Sequence, residues 1–128
     1  MAMSGALLDT SILIAAEASL DDLPASAAIS VVTLGELYAG VHLARTAEIR
    51  RLRRRRLDAT RAAFSPLPVD DSVAKHYGEV LAVARRDSRS AKATDVLIIA
   101  TAAASSRSLH TLDASQAQLA RAAGVTVA

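Results

Sequence analysis

The stretch that most constrains the fold is Ala93–Ala102, which is mostly apolar and long enough for a helix. Such a helix offers little polar surface, so it must be covered on most sides. One acid, Asp95, lies near its start. A local interpretation is that Thr94 caps the helix and Asp95 complements its dipole, worth ~0.3–1 kcal/mol. A chain that buries a whole helix needs further layers around it.

Short apolar runs alternate with helical patterns along the rest of the chain, with a turn at Asp21–Pro24. The predicted strands are Gly5–Leu8, Ala27–Ser30, Phe64–Val69, Ser108–Leu112 and Val125–Val127. Buried parallel strands lack the alternation of half-exposed ones, so these runs indicate a parallel sheet covered on both faces. Two prolines place the third strand at an edge. We predict one α/β domain in the 128 residues.

Composition excludes several classes of protein. The chain is 52% hydrophobic, which excludes a disordered chain, and it has no cysteine, which excludes disulfides and thiolate metal sites. The first ten residues do not have the pattern of a signal peptide. No apolar run approaches the ~20 residues of a membrane span. We expect a soluble cytoplasmic protein with no membrane partner.

Basic residues are unevenly distributed, although the formal net charge is only +2. Six arginines lie between Arg50 and Arg56. A second group follows the fourth predicted helix and comprises Arg85, Arg86, Arg89 and Lys92. Local basicity of this kind suits a polyanion such as nucleic acid. For the arginine run, a solvated helix face is an equally good interpretation.

Four acids have similar positions relative to the predicted strands. Asp9 ends the first strand, and Glu36 lies in the helix after the second. Asp95 heads the helix that leads to the fourth strand, and Asp113 follows that strand. Ligands bind at the carboxyl edge of a parallel sheet, so we expect the four carboxylates in one pocket. The local alternatives are a capping box at Thr33–Glu36 and a helix cap at Asp113.

Carboxylates gathered in one pocket raise one another's pKa values unless a cation neutralises them. Ligation by oxygen alone is what Mg²⁺ or Mn²⁺ prefers. Zinc is disfavoured because the three histidines, His42, His76 and His110, form no i, i+4 pair. A carboxylate-held Mg²⁺ beside a basic surface suits hydrolysis of a phosphodiester, because the metal lowers the pKa of a bound water.

Four motifs together resemble the PIN-domain ribonucleases, and more narrowly the VapC toxins of bacterial toxin–antitoxin pairs. They are LLDTS at 7–11, VTLGELYAG at 32–40, TDVLIIA at 94–100 and LHTLD at 109–113. The resemblance implies a single PIN domain over residues 1–128. It also implies a three-layer α/β/α fold whose five-stranded parallel sheet has the order 3-2-1-4-5, which makes strands one and four neighbours.

The resemblance also implies roles for particular residues. The catalytic acids are Asp9, Glu36, Asp95 and Asp113. Of these, Asp9, Asp95 and Asp113 are the expected ligands of Mg²⁺, for which Mn²⁺ is a possible substitute. A hydroxyl of Thr10 or Ser11 is expected to touch the site.

The chain departs from the family pattern at two places. The loop before the third acid, residues 87–92, has no glycine. After the fourth acid, where relatives often carry an acidic or aromatic residue, this chain has Ser115, Gln116 and Ala117. The first departure concerns the loop geometry, and the second concerns how firmly a second metal is held.

The resemblance also implies that the substrate is RNA and that the partner is a VapB-type antitoxin. It further implies a toxin homodimer, which joins the antitoxin in a heterotetramer or larger assembly. Aromatic residues make up only 2% of the chain, so base stacking is a poor candidate for recognition. We expect arginines to read the backbone of a structured tRNA or rRNA. The expected antitoxin-facing surface is Leu34–Arg61, with the apolar residues Leu43, Ile49, Leu52 and Leu57. An equally good interpretation of each of these four residues is that it packs on the sheet.

Other folds with acids at strand ends fit less well. A phosphate-receiver domain needs paired acids after the first strand, and a haloacid-dehalogenase-type phosphatase needs an aspartate where Ser11 stands. A dinucleotide-binding domain needs a glycine-rich first turn. A DNA nuclease of the same fold remains an alternative. A second alternative is a PIN domain that binds RNA without cleaving it, although the presence of all four acids disfavours it.

Overall fold

The computed structural model describes residues 5–15, 23 and 26–128. The predicted turn at Asp21–Pro24 lies outside these residues except for Leu23. The elements are β1 (Ala6–Leu8), α1 (Thr10–Ala15), α2 (Val31–His42), α3 (Ala47–Ala63), α4 (Asp71–Arg86), α5 (Ala93–Ala104), β2 (Ser108–His110) and α6 (Ala114–Ala122). None of the described helices is long and apolar enough to cross a lipid bilayer.

The sheet in the described residues consists of β1 and β2, paired in parallel with Leu7 opposite Leu109. These are the first and fourth predicted strands, so the expected neighbours are in contact. Single parallel bridges flank the pair at Leu7–Ala28, Ser30–Leu67 and Leu109–Val127. The bridges fall within the other three predicted strands. Because each is one residue long, the five-stranded sheet of order 3-2-1-4-5 stays a prediction.

Both faces of β1 are buried, as expected for a central strand. Leu7 packs in one apolar cluster with residues of α4, α5 and α6. Its neighbours Ala6 and Leu8 pack in a second cluster with residues of α1, α2 and α3. Side chains alternate between the faces of a strand, so β1 lies between two layers of helices.

Helix α5 is as buried as its composition predicts. The residues with no exposed surface are Val96, Ile98, Ile99, Ala100 and Ala102. Fully burying one aliphatic side chain of this size contributes roughly 1.5–3 kcal/mol. The predicted cap is wrong, however: Lys92 is the N-cap residue and makes no side-chain capping bond. Thr94 lies inside the first turn, where its side chain cannot serve as the N-cap.

Helix α2 begins earlier than the capping-box interpretation requires. Ser30 is its N-cap, and the Ser30 Oγ accepts a hydrogen bond from the Val32 amide at 3.0 Å. Thr33 therefore lies within the helix, where it is fully buried. The capping box at Thr33–Glu36 is wrong, and Glu36 is available for the site.

Helix α3 packs along α2, and two of its arginines, one of them from the run at 50–56, hold the two helices together. Arg53 donates to the Gly40 carbonyl at 2.7 Å, and Arg61 donates to the Tyr38 hydroxyl at 2.8 Å. Leu57 is fully buried, so its predicted place on an antitoxin-facing surface is wrong. The other three apolar residues of that surface are exposed: Leu43 by 74%, Leu52 by 56% and Ile49 by 38%.

Candidate acidic site

Asp9 follows β1 directly and is 6% exposed. Its amide donates to the His110 carbonyl at 2.9 Å, which ties it to the end of β2. Its Oδ2 accepts from the Ser11 Oγ at 2.7 Å, the Ser11 amide at 3.2 Å and the Thr111 Oγ1 at 3.2 Å. Its Oδ1 accepts from the Gln116 Nε2 at 3.3 Å. Such a carboxylate is held in one orientation by donors on both oxygens.

Glu36 lies in the second turn of α2, and its Oε1 accepts from the Thr10 Oγ1 at 2.7 Å. Thr10 is the first residue of α1 and Ser11 is the second. The two predicted supporting hydroxyls therefore contact different acids, Thr10 contacting Glu36 and Ser11 contacting Asp9. The short helix after β1 thus connects the first two acids of the site.

Asp113 is the N-cap of α6, as one interpretation of the sequence predicts. Its Oδ1 accepts from the amides of Ser115 at 2.9 Å and Gln116 at 3.1 Å. Its own amide donates to the Thr111 Oγ1 at 3.1 Å. β2 ends at His110, two residues before the predicted strand end, so Asp113 does not follow the strand directly and lies three residues beyond it. The cap uses Oδ1, so Oδ2 keeps its full capacity to accept hydrogen bonds or bind a cation.

Asp95 is half-buried in the first turn of α5. Burial raises its pKa above the usual 3.8, and the negative charges of Asp9, Asp113 and Glu36 raise it further. Lys92 lowers the pKa, as the weakest of these influences. Among the described residues, no donor forms a hydrogen bond to the Asp95 carboxylate. The charges of the other three predicted acids therefore reach Asp95, and no hydrogen-bond donor among the described residues offsets them.

A cavity of about 400 Å³ opens beside two of the acids, Asp95 and Asp113. Its lining also includes two of the predicted basic residues, Arg89 and Lys92, together with the side chain of Gln116. The other two, Arg85 and Arg86, are exposed in the last turn of α4 and are not part of the lining. Asp9 and Glu36 are not part of the lining either.

The donors at this site are carboxylate, hydroxyl and amide oxygens, which suit Mg²⁺ or Mn²⁺ in chemistry. Within the described ranges, no three His, Asp or Glu side chains are grouped closely enough to hold a metal ion as they stand. Burial raises the pKa of Asp95 most, and the charges of Asp9, Asp113 and Glu36 add to it, so a cation at this place would offset negative charge.

Sequence reasoning missed the roles of Thr111 and Gln116. Both side chains contact the Asp9 carboxylate, although more than 100 positions separate them from Asp9. The sequence gives one weak indication of these roles: both residues lie close to Asp113, a predicted site residue that comes just after a predicted strand. Nothing in the local pattern indicates which acid they contact.

Comparison with known proteins places the chain in a family. A family model described as PIN domain matches residues 6–122. Ribonuclease VapC5 of Mycobacterium tuberculosis is 36% identical over 125 residues, which cover 94% of this chain and 92% of that protein. Ribonuclease VapC8 of the same species is 40% identical over 100 residues, covering 75% and 88%.

Solved structures agree with this. The crystal structure of VapBC-5 from Mycobacterium tuberculosis, a member of the VapBC family of toxin–antitoxin systems, superimposes with a TM-score of 0.83 at 34% identity over 97% of both chains. That of FitAcB from Neisseria gonorrhoeae gives 0.78 at 28% identity over 95% of both. The chain therefore belongs to the PIN-domain family. Its similarity to the VapC ribonucleases confirms the narrower resemblance as well.

Proposed function

We propose that this chain is the toxin of a VapBC-type pair and cleaves RNA as a cation-dependent endoribonuclease. One observation carries the proposal: four carboxylates from separate elements lie near enough that Asp9, Asp113 and Glu36 add to the effect of burial in raising the pKa of Asp95. Like charges that lie near one another repel, so this arrangement destabilises the fold. A destabilising arrangement of this kind is typical of a functional site. Two relatives that carry the name ribonuclease support RNA as the substrate.

The cation of this proposal is Mg²⁺, with Mn²⁺ as a substitute. Asp9, Asp95 and Asp113 would hold it, and Glu36 would complete the acidic pocket. When bound, it supplies neutralising charge at the phosphate and a water of lowered pKa. The lack of any hydrogen-bond donor to Asp95 among the described residues supports a ligand role, because that carboxylate has both oxygens uncommitted.

The chain's own residues prepare the site. Ser11 and Gln116 hold the Asp9 carboxylate, which removes the entropy of orienting it during the reaction. Thr10 holds Oε1 of Glu36 and leaves Oε2 able to accept a proton from a water. Because Asp95 is half-buried, the charges act through a medium of lower dielectric constant than water.

Arg89 and Lys92 are the proposed contacts to the RNA backbone, because both line the cavity beside Asp95. The Arg89 Nε is buried and has no hydrogen-bond partner within the described part of the chain. It lies 3.7 Å from the Asp87 Oδ2, too far for a good hydrogen bond. The Arg89 side chain as a whole is 35% exposed, so part of it is accessible to an RNA phosphate. Arg85 and Arg86 would extend the contact along a structured RNA such as tRNA or rRNA.

The proposed partner is a VapB-type antitoxin, because the similar structure from Mycobacterium tuberculosis is described as a member of the VapBC family of toxin–antitoxin systems. The exposed Leu43, Ile49 and Leu52 suit an amphipathic helix of such a partner. We also propose a toxin homodimer, joined with antitoxin in a heterotetramer or larger assembly.

We further infer that the bridged segments complete a sheet of order 3-2-1-4-5. Backbone hydrogen bonds support this order: Leu8 donates to Ala28 at 2.9 Å, Leu67 to Ile29 at 2.8 Å and Leu109 to Thr126 at 2.8 Å. We expect slow hydrogen exchange at these three amides. Exchange as fast as that of exposed loop amides would contradict the extended sheet.

The test of the proposed function is incubation of the partner-free protein with total RNA and total DNA, with Mg²⁺ or with EDTA, followed by mapping of the ends. We expect discrete cuts in RNA that require Mg²⁺. Cleavage of DNA alone would favour the DNA nuclease, and binding of RNA without cleavage would favour the inactive PIN domain. Cleavage that persists in EDTA would contradict the cation-dependent mechanism.

A further inference from the structure

Gln116 is 3% exposed, although amide side chains are mostly found at protein surfaces. It lies in the first turn of α6, and its side chain is hydrogen-bonded at both ends. Its Nε2 donates to the Asp9 Oδ1 at 3.3 Å, and its Oε1 accepts from the Thr111 Oγ1 at 2.6 Å. The side chain thus bridges the strand end that carries Thr111 and the acid that follows the neighbouring strand.

The charge of Asp9 fixes the orientation of this amide. Rotation by 180° would place the Gln116 Oε1 against a carboxylate oxygen and lose the hydrogen bond. The Thr111 hydroxyl has one proton and two acceptors within reach, Gln116 at 2.6 Å and the Asp9 Oδ2 at 3.2 Å. The shorter contact takes the proton, so Ser11 supplies the main donors to Oδ2.

The two oxygens of Asp9 consequently differ. Oδ2 faces three polar contacts, from the Ser11 hydroxyl, the Ser11 amide and Thr111. Oδ1 accepts only the hydrogen bond from Gln116 and retains capacity for another partner. A neutral donor on Oδ1 stops the carboxylate from rotating and brings no fifth negative charge to the site.

We propose that Gln116 is a positioning residue: its amide holds the Asp9 carboxylate in the orientation in which Oδ1, besides the hydrogen bond from Gln116, keeps an acceptor position open for the cation. This rests on the proposed function, because it assigns Gln116 a role in the same cation site. A glutamate at this position would have no proton to donate to Asp9 at neutral pH. A methionine would have similar length but would neither donate to Asp9 nor accept from Thr111.

The experiment compares Gln116→Met and Gln116→Glu with wild type. Gln118→Met and Gln118→Glu are matched controls, because Gln118 is exposed on the same helix. The unfolding temperature is followed as Mg²⁺ is added to partner-free protein, which gives the half-saturating concentration without any reaction. kcat and KM on RNA are measured in parallel.

For Gln116→Met we expect the half-saturating Mg²⁺ concentration to rise about tenfold or more, in line with the usual effect of removing a partner of a metal ligand. kcat should fall, with KM for RNA unchanged. Gln116→Glu should unfold at a lower temperature than wild type in EDTA, because two carboxylates then meet. Mg²⁺ should raise its unfolding temperature more than that of wild type. Both Gln118 variants should match wild type.

A Gln116→Met protein with the Mg²⁺ response and kcat of its Gln118 control would overturn the proposal and make Gln116 a space-filling residue. Should that variant not fold, Gln116→Asn decides, because its shorter amide cannot reach Asp9: a raised half-saturating Mg²⁺ concentration supports the proposal, and the wild-type value overturns it. A wild type that responds to neither Mg²⁺ nor Mn²⁺ would contradict the proposed function itself.

Discussion

At the scale of single residues, Asp95 differs from the other acids because nothing in the described chain donates a hydrogen bond to it. Its raised pKa means that the folded protein binds this proton more tightly than the unfolded chain does. Stability then falls as the pH rises from 3.8 through the raised value, and the penalty is fully present above that value. Without a cation, ionised Asp95 is a net cost to folding.

We therefore predict that Asp95→Asn is more stable than wild type at pH 7 in EDTA, by an amount that shrinks as the pH falls towards 4. Urea unfolding across this pH range measures the difference. Asp58→Asn, at an exposed position on α3, controls for the loss of one charge. Equal stability of Asp95→Asn and wild type at pH 7 would show that Asp95 is not under repulsion.

Asp9 should behave in the opposite way. From the sequence alone, removing its charge should relieve repulsion and leave the fold at least as stable. The structure reverses this expectation, because both carboxylate oxygens accept hydrogen bonds in a buried position. In Asp9→Asn an NH₂ group must meet one of these donors, a loss of about 1–3 kcal/mol. Urea unfolding at pH 7 in EDTA tests this, and a variant as stable as wild type would refute it.

At the scale of elements, Asp113 combines a helix cap with a proposed ligand role, and two variants separate them. Asp113→Asn keeps the acceptor for the amides of Ser115 and Gln116, so its metal-free stability should stay near that of wild type. Asp113→Ala should lose about 0.5–2 kcal/mol. Both should show a weaker rise of the unfolding temperature with Mg²⁺. A wild-type Mg²⁺ response in Asp113→Asn would make Asp113 a cap only.

The elements also show what local patterns can predict. The burial of α5 and the cap at Asp113 follow from the apolar run and the residue type. Thr33 and Thr94 both precede acids in a way typical of caps, yet each lies inside a helix that begins earlier. A helix start depends on where the previous segment leaves the sheet, and local sequence does not encode that position.

Local sequence patterns do not predict contacts between distant segments either. The register that sets Leu8 of β1 opposite His110 also brings Thr111 and Gln116 to Asp9. Strand ends share an edge of the sheet, which explains why the charges of the other three acids reach Asp95, although Asp9 and Glu36 do not line the cavity beside it. The pairing of each hydroxyl with a particular acid depends on the three-dimensional positions of the side chains, which the local pattern does not specify.

At the scale of the whole molecule, recognition of RNA should depend on where the positive charge lies. We predict that Arg89→Ala and Lys92→Ala raise KM for RNA more than they lower kcat, and each should reduce the salt dependence of binding by about one phosphate contact. Arg51→Ala removes the same charge from the exposed face of α3 and is the matched control. An equal effect of Arg51→Ala would mean that only net charge matters.

A single cation bound jointly by acids on different elements is central to the proposed activity. Calorimetric titration of Mg²⁺ or Mn²⁺ into partner-free protein tests this directly, with Glu36→Gln on α2, Asp95→Asn on α5 and Asp58→Asn as the control. We predict saturable binding to wild type and to Asp58→Asn, and affinity lower by about tenfold or more in the other two variants. No binding to wild type, or wild-type affinity in both Glu36→Gln and Asp95→Asn, would contradict the shared cation site.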